Sequence, residues 1–355
     1  MRDAETPRPT PSPADLYSTA DANAGPGISL IVPCYTTDRY ADLCRLIDSV
    51  RSQRPAVAEL ILVVQKSREL ESLLTMRLSD LPTVGARVIF LDSDPAVSPA
   101  RNAGVDAAAC GIIAFADDDA VLADGWTLAT HSFYRRFPDA IGAAGAILPL
   151  WDSPAMDWFP RELWWMLSCT YWTAATPVPV RNGYGANMSF RREAFDDGRR
   201  FDESLGISGW GTGGWRGVGG EEPELALRIT AETGRPVMYA PEVRAWHRVR
   251  ASRLRSGSLL RRAYWEGRFK AILSRYPAGT QRVLHTEWSL LRSLARAHIG
   301  RLRLLASRPR DALRQEGAVI LVVAAVAFGF LDGKLRRIRA GVFREPSNAR
   351  EESAV

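Results

Sequence analysis

Cysteine and lysine are scarce in this 355-residue chain, and their scarcity excludes several classes of protein. The four cysteines show no C-x-x-C spacing, so the chain has neither a zinc-ribbon pattern nor a disulfide framework. We expect all four to be free thiols in a reducing compartment. They are Cys34, Cys44, Cys110 and Cys169.

The first 27 residues contain no long apolar run. They are polar and rich in Pro, Ala and Asp, which is typical of a disordered tail and unlike a secretory signal. Residues 341–355 are polar as well, and we expect a second disordered tail there.

Basic charge is concentrated near the C-terminus. Residues 248–345 hold 22 Arg and Lys against 6 Asp and Glu, a local net charge of +16 in a chain whose total is +6. An acidic body joined to a basic region suggests two tasks. The basic region could meet nucleic acid, an anionic membrane, or only solvent.

Short apolar runs alternate with helix-like segments along the body. Four runs predict buried strands, at 28–35, 59–64, 87–92 and 111–116, and 140–148 is a candidate fifth strand. A helix is predicted over 39–53, and Ser98 and Asp124 could each cap a further helix. Strands that are apolar throughout and separated by helices predict a parallel sheet covered on both faces.

Polar residues stand where these strands end. Tyr35, Asp92 and the run Asp117, Asp118 and Asp119 all follow apolar strands. Ligands of such sheets bind beyond the carboxyl ends of the strands, so we expect these side chains to share one crevice.

Three consecutive carboxylates after a buried strand are best explained by a cation. Oxygen ligands suit Mg²⁺ or Mn²⁺, and Mg²⁺ usually shares its coordination with substrate phosphates. The alternative is a solvated turn or a helix cap, since Asp favours both.

A glycine-rich run with two tryptophans, residues 206–220, follows further along the chain. It contains a formal G-x-G-x-x-G pattern, but no apolar strand precedes it, so a mobile lid or a plain surface loop is expected instead of a dinucleotide site. After it, 221–234 reads as a helix with acids in its first turn, and 236–250 reads as a strand that carries His247.

Six motifs in order resemble the family 2 glycosyltransferases, which have the GT-A fold. They are SLIVPCY, SPARNAG, IIAFADDDAVLADGW, GANMSFRREAF, GGEEPELALRI and AWHRV, spread over residues 28–250. The resemblance implies a Rossmann-like, mostly parallel α/β sheet flanked by helices. It also implies transfer of a sugar, with inversion, from a nucleotide diphosphate donor to an acceptor hydroxyl.

The resemblance assigns roles to particular residues. Asp119 and His247 would bind the divalent metal, Mn²⁺ or Mg²⁺, and Glu222 would be the catalytic base, with Glu221 as the alternative. Asp117 would meet the ribose of the nucleotide. The other residues assigned to the donor are Pro33, Tyr35, Arg101, Asn102 and Asp118.

The chain departs from the family after its second strand, where an acidic residue usually reads the nucleotide base. Gln65 stands near that position, and its oxygen could accept a hydrogen bond from uracil. A UDP-sugar is therefore only the default donor. The QxxRW signature of the processive enzymes is missing, so transfer of a single sugar is expected.

The C-terminal region, 251–340, is predicted to be helical, basic and membrane-associating. Its uncharged stretch 317–331 would give only about 22 Å of helix, which favours an interfacial anchor on the cytoplasmic face over a full span. Residues 151–172 hold five tryptophans that could stack on sugars, lie at a bilayer or pack in a core. We expect a lipid-linked or cell-envelope glycan acceptor, an anionic membrane partner and no nucleic acid.

Two other classes of function stay open. Asp117-x-Asp119-x-Val121 formally matches the motif of haloacid-dehalogenase-like phosphatases, but that chemistry needs a downstream lysine, and the chain has only Lys66, Lys270 and Lys334. The second class is a non-catalytic membrane scaffold that binds nucleotide-sugars.

Overall fold

The computed structural model of the chain describes residues 26–79, 85–171, 174–206, 219–274 and 293–340. Most of both predicted tails, and most of the glycine-rich run, lie outside the described residues. The four cysteines are free thiols, as predicted.

The N-terminal half of the sheet is parallel, and its strand order is β3-β2-β1-β4. The strands are β1 (Ile28–Cys34), β2 (Glu59–Gln65), β3 (Gly85–Leu91) and β4 (Ile112–Phe115). Helices α1 (Tyr40–Arg51), α2 (Arg68–Leu78) and α3 (Val97–Ala107) connect them. The central strands are apolar on both faces because a core cluster lies on each side of the sheet. The four predicted strands are therefore confirmed.

Both predicted helix caps are wrong. Helix α3 begins at Val97, so Ser98 lies inside it, and its hydroxyl donates to the carbonyl of Leu205 at 2.9 Å. Helix α4 (Trp126–Arg136) is preceded by Gly125, whose φ of +74° favours glycine, and Asp124 makes no cap.

The rest of the sheet is mixed, with antiparallel pairs beside one parallel pair. Its strands are β5 (Ala120–Leu122), β6 (Gly142–Trp151), β7 (Val178–Pro179), β8 (Met188–Arg191) and β9 (Val237–Val249). From β4 the strand order continues β4-β8-β6-β9-β5, and β7 also pairs with β9. The pairs β4–β8, β8–β6 and β9–β5 are antiparallel, and the pair β6–β9 is parallel. Strand direction follows from these long-range pairings, which apolar composition does not encode.

Four helices complete the described chain: α5 (Glu221–Thr233), α6 (Ser256–Leu273), α7 (293–304) and α8 (Pro309–Ala340). Helices α6 and α8 approach closely at glycines; a Cβ on Gly267 would lie 2.0 Å from the carbonyl oxygen of Val326. Short 3₁₀ turns occur at Thr37–Arg39, Pro154–Met156, Arg161–Leu167, Gly185–Asn187, Arg192–Gly198 and Ala251–Leu254.

The tryptophan-rich segment packs in a core that α6 and α8 share. Trp151, Trp158, Trp164 and Trp165 lie against a cluster that includes Val319 and Val322 of α8. The division of the chain at residue 250 stays a prediction, and the two sides of that boundary are packed together.

Helix α8 is longer than its uncharged stretch 317–331 indicated. Its segment Pro309–Arg336 has 28 residues, about 42 Å at 1.5 Å per residue, and its most apolar 18-residue window has a mean hydropathy of 2.1. By length and composition this segment could cross a bilayer. The uncharged stretch 317–331 alone had predicted a helix too short to do so. Only 22% of that window is buried, and its exposed apolar residues include Ile320 and Phe328.

Candidate active site

A cleft of about 800 Å³, including its open mouth, lies beyond the carboxyl ends of β1, β2 and β4. Ten of the eleven predicted site residues line it: Pro33, Tyr35, Gln65, Arg101, Asp117, Asp118, Asp119, Glu221, Glu222 and His247. Asp92, which was expected in the same crevice, is not among the lining residues.

Asn102 is the predicted site residue that does not line the cleft. Its amide oxygen accepts from the backbone N–H of Phe201 at 2.9 Å, and its amide nitrogen donates to the carbonyl of Phe201 and to Glu203, both at 3.0 Å. Asn102 is therefore an anchor for the segment around Phe201.

Strand pairing brings the acidic run to His247. Ala120 of β5 is paired with His247 of β9, so the residue before Ala120 meets the imidazole. Asp119 Oδ1 lies 2.9 Å from His247 Nε2, yet this buried oxygen has no hydrogen-bond partner. One ligand atom each from Asp117, Asp119 and His247 lies within 4.8 Å of the other two. Two carboxylate oxygens and an imidazole nitrogen suit a divalent metal ion.

Arginines surround these carboxylates. Arg39 forms ion pairs with Asp118 and, at 3.3 Å, with Asp119, while Arg253 Nη2 lies 3.7 Å from Asp119. Burial acts to raise the pKa of Asp119, but His247, Arg253 and Arg39 outweigh it and hold that pKa well below its usual range. Asp119 is therefore ionised, as a metal ligand must be.

Asp118 has a different electrostatic environment from Asp119. Burial raises the pKa of Asp118 to about 7, and the charge of Asp119 adds to the effect, although Arg39 opposes it. The two neighbouring carboxylates therefore have very different pKa values, which is common in functional sites.

Arg101 joins the acidic run to helix α5. Its guanidinium is almost fully buried and contacts Asp117 at 3.5 Å, Glu221 at 3.0 Å and Glu222 at 3.3 Å. Glu222 also accepts the backbone N–H of Gly185 at 3.1 Å. Gly185 permits this approach, because a Cβ there would lie 1.8 Å from Arg101 Nη2.

The two glutamates of α5 differ in exposure. The side chain of Glu222 is 19% exposed, whereas that of Glu221 is 6% exposed and also accepts the backbone N–H of Gly220 at 2.9 Å. Burial and the charge of Glu221 raise the pKa of Glu222 to about 8, although Arg101 opposes the shift. A helix N-terminus favours an ionised carboxylate, but burial dominates here and disfavours the charge of Glu222.

Gln65, the candidate reader of the nucleotide base, holds a neighbouring loop. Its side-chain oxygen accepts the backbone N–H of Ala96 at 3.1 Å, and its nitrogen donates to Ser93 at 3.3 Å. Tyr35 lines the cleft nearby, and burial raises its pKa to about 12, so its hydroxyl is neutral.

Sequence reasoning missed five residues of the site: Arg39, Ser168, Gly185, Arg253 and Arg262. All but Gly185 line the cleft. Gly185 opens one of the quoted motifs, and Arg253 follows His247 by six residues, but no spacing rule links such positions to the acidic run.

Comparisons with known proteins agree with this geometry. The sequence model described as "Glycosyl transferase family 2" matches residues 29–199. A glucosyl-dolichyl phosphate glucuronosyltransferase of Haloferax volcanii is 27% identical over 312 residues, which are 87% of this chain and 96% of that protein. The solved mannosyltransferase PcManGT of Pyrobaculum calidifontis, in complex with GDP-Man and Mn²⁺, has the same fold. Its TM-score is 0.58 at 17% identity, over 89% of this chain and 88% of that one.

Fold and site together define an enzyme of the GT-A class, with a site for a divalent metal at the end of the parallel strands. Residues 29–199 match the family 2 glycosyltransferases, and the chain is a glycosyltransferase. The phosphatase alternative is wrong, and no lysine is among the residues that line the cleft in the described part of the chain. Because the chain is an enzyme, the alternative of a non-catalytic scaffold is excluded as well.

Proposed function

We propose that the protein transfers one sugar, with inversion, from a nucleoside diphosphate sugar to a hydroxyl of a lipid-linked acceptor. The observation that carries the proposal is the arrangement of one cleft. A metal-binding set of Asp117, Asp119 and His247 stands in the same cleft as Glu222, and Arg101 contacts both Asp117 and Glu222.

The reaction needs a leaving group, a nucleophile and a base. The acceptor oxygen forms a bond to the anomeric carbon as the bond from that carbon to the diphosphate breaks. Glu222 takes the proton of the acceptor hydroxyl, and the nucleoside diphosphate leaves with the bonding electron pair. Because inversion needs a single displacement, one base is sufficient, and Glu222 is the more exposed of the two glutamates.

Asp119 and His247, with Asp117 beside them, would hold the divalent metal. When bound, the metal supplies positive charge for the diphosphate of the donor. Mn²⁺ and Mg²⁺ both suit carboxylate ligands, and the imidazole nitrogen of His247 favours Mn²⁺ over Mg²⁺. Arg39 adds positive charge at the same end of the cleft.

The acceptor is proposed to be lipid-linked on two grounds. The relative from Haloferax volcanii is named for glucosyl-dolichyl phosphate, a sugar on a lipid phosphate. The chain itself carries α8, whose exposed apolar residues include Ile320, Phe328 and Leu335. Beside it lies the strongly basic region, which would attract an anionic membrane surface. We propose that the enzyme works there, on the cytoplasmic face.

Transfer by the purified full-length chain tests the proposal. The donors are UDP-glucose, UDP-glucuronate and GDP-mannose, with and without Mn²⁺, and the acceptor is glucosyl-decaprenyl phosphate in detergent. We expect a product that is one sugar heavier by mass spectrometry, with one of the donors, and its loss on addition of EDTA. Nucleotide binding without any sugar transfer across these donors would contradict the proposal.

A further inference from the structure

Two arginines of the cleft, Arg253 and Arg262, carry positive charge that nearby acids do not neutralise. The other two cleft arginines are engaged: Arg39 by Asp118 and Asp119, and Arg101 by Asp117 and both glutamates. Arg253 reaches only Asp119, at 3.7 Å, and its buried Nη1 atom has no hydrogen-bond partner. Arg262 has no carboxylate within 4 Å among the described residues.

Arg262 is held towards the cleft by a serine. Its Nη2 donates to the hydroxyl of Ser168 at 2.9 Å, and both residues line the cleft. Ser168 has a φ of +56°, a left-handed conformation that is strained for a non-glycine residue. Strain of this kind is often found at binding sites, where the surrounding structure imposes it. The Ser168 oxygen accepts from Arg262, so its own proton remains available to a ligand.

The two guanidinium groups disfavour each other's charge. Burial lowers the pKa of Arg262 to about 10, and the positive charge of Arg253 adds to that shift, although the charges of Glu266 and Glu222 oppose it. A buried cation without a partner is costly, and a second cation nearby increases the cost. An anion bound between them would remove this cost, and a phosphate fits the planar, forked donors of arginine.

Helix α6 connects Arg262 with the apolar C-terminal helix α8. Arg262 lines the cleft, and one and a half turns later Gly267 packs against the backbone of α8 at Val326 and Phe330. An anion site on one side of α6 and an apolar helix on its other side suit a phosphate esterified to a long apolar chain. The donor diphosphate has no such chain, and the metal set of Asp117, Asp119 and His247 already suits it.

We propose that Arg253, Arg262 and the Ser168 hydroxyl bind the phosphate of the lipid-linked acceptor. This inference rests on the proposed function and adds the group by which the acceptor is recognised. The enzyme therefore distinguishes an acceptor with a phosphate from one without it.

Binding of farnesyl phosphate to the full-length chain in detergent tests the site, with farnesol as the uncharged control. Charge-assisted hydrogen bonds of this kind are each worth about one to two orders of magnitude in affinity. We expect Arg262→Gln and Arg253→Gln each to weaken farnesyl phosphate binding by about tenfold to hundredfold. Arg261→Gln is the matched control, because Arg261 is exposed on the same helix and does not line the cleft. Farnesol binding should be the same in all four proteins.

Competition separates the acceptor phosphate from the donor phosphate. Farnesyl phosphate should still bind when Mn²⁺ and saturating UDP or GDP occupy the donor site. Displacement by both nucleotides would assign the arginines to the donor and overturn the inference. Equal farnesyl phosphate affinity in the wild type and in Arg262→Gln would overturn it as well.

Ser168→Ala covers the case in which an arginine variant does not fold. It removes one hydroxyl and should weaken farnesyl phosphate binding while farnesol binding stays constant; an unchanged phosphate affinity would count against the site. Because these experiments measure binding, a negative result in them can be distinguished from a negative result in the transfer assay. A chain that transfers sugar equally well to glucosyl-decaprenyl phosphate and to octyl glucoside would keep the proposed function and lose this inference.

Discussion

Asp119 and His247 stand 128 residues apart in sequence, and their side chains meet at 2.9 Å because β5 pairs with β9. The pairing is antiparallel, with Ala120 opposite His247, and the backbone N–H of Arg248 donates to the carbonyl of Asp119 at 3.0 Å. A three-residue strand, β5, therefore fixes the position of the proposed metal ligands. A shift of register by one residue would turn Asp119 to the opposite face.

Asp119→Asn tests the metal site. Asn keeps the shape and removes the charge, so metal-dependent binding of the nucleoside diphosphate should be lost while the chain still folds. Isothermal titration of UDP and GDP with Mn²⁺ measures the effect, and circular dichroism checks the fold. Asp106→Asn is the control, since Asp106 is exposed on α3 and pairs only with Arg200. An Asp119→Asn protein that keeps its metal-dependent affinity would remove Asp119 from the site.

Glu222→Gln tests the base. Positioned base catalysis is worth about 10² to 10⁴ in rate, so single-turnover transfer should fall by that factor while donor affinity stays normal. Glu232→Gln is the control on the same helix, because Glu232 is 46% exposed. Glu221→Gln is run in parallel, and a large loss in that variant alone would move the base to Glu221. Glu222→Gln activity within threefold of wild type would rule out Glu222.

The pH profile provides a second test of Glu222. Its pKa is raised to about 8, and a base works only when ionised, so kcat/KM should rise with pH up to about 8 and then level off. Below that value the expected slope is tenfold per pH unit. The residual activity of Glu222→Gln should lack this rise. A wild-type profile that is flat between pH 6 and 9 would contradict the assignment.

Gly185→Ala tests the contact between Arg101 and Glu222. The added Cβ would lie 1.8 Å from Arg101 Nη2 and 2.9 Å from Glu222 Oε1, so one of these groups must move. We expect transfer to fall by at least tenfold and the melting temperature to drop by several degrees, measured by transfer assay and thermal unfolding. Gly257→Ala, on α6 with open space around its Cβ, should change neither. Normal transfer by Gly185→Ala would show that this contact is not needed.

Sedimentation with vesicles tests the membrane proposal. The full chain should pellet with anionic vesicles at low salt and be released as salt rises, because the basic region is screened. Ile320→Glu combined with Phe328→Glu places charge on two residues that are each 64% exposed, and the variant should stay in the supernatant. Met76→Glu, at 63% exposure on α2, is the control and should pellet as the wild type does. A wild-type chain that remains in the supernatant would contradict membrane binding.

Much of the parallel half could be predicted from sequence, because its strands are short, apolar and separated by amphipathic helices. The predicted runs at 28–35 and 59–64 match β1 and β2 to within a residue at each end. The strand ends then placed Tyr35 and the acidic run in one cleft, since parallel strands share an edge. The roles of Asp119, His247 and Glu222 stay predictions, although the structure brings all three to that cleft.

Other features had no local signal. The motif assigned Asn102 to the donor, yet its side-chain amide oxygen accepts a hydrogen bond from the backbone of Phe201, 99 residues away. Gln65 was a candidate for recognising the nucleotide base, but its side-chain oxygen accepts a hydrogen bond from the backbone N–H of Ala96. A motif gives the residue type and the element that carries it, whereas hydrogen-bond partners depend on segments far away in sequence.

The amino-acid sequence by itself determined the four strands of the parallel half, the acidic run after β4 and the resemblance to the family 2 glycosyltransferases, because these depend on local periodicity and on ordered motifs. Tertiary structure decided which charges meet. The pairing of β5 with β9 joins Asp119 to His247, and the glycine at position 185 lets Arg101 reach Glu222. Burial in that cleft, which composition does not reveal, raises the pKa of Glu222, and the fold brings Arg253 and Arg262 to the same cleft.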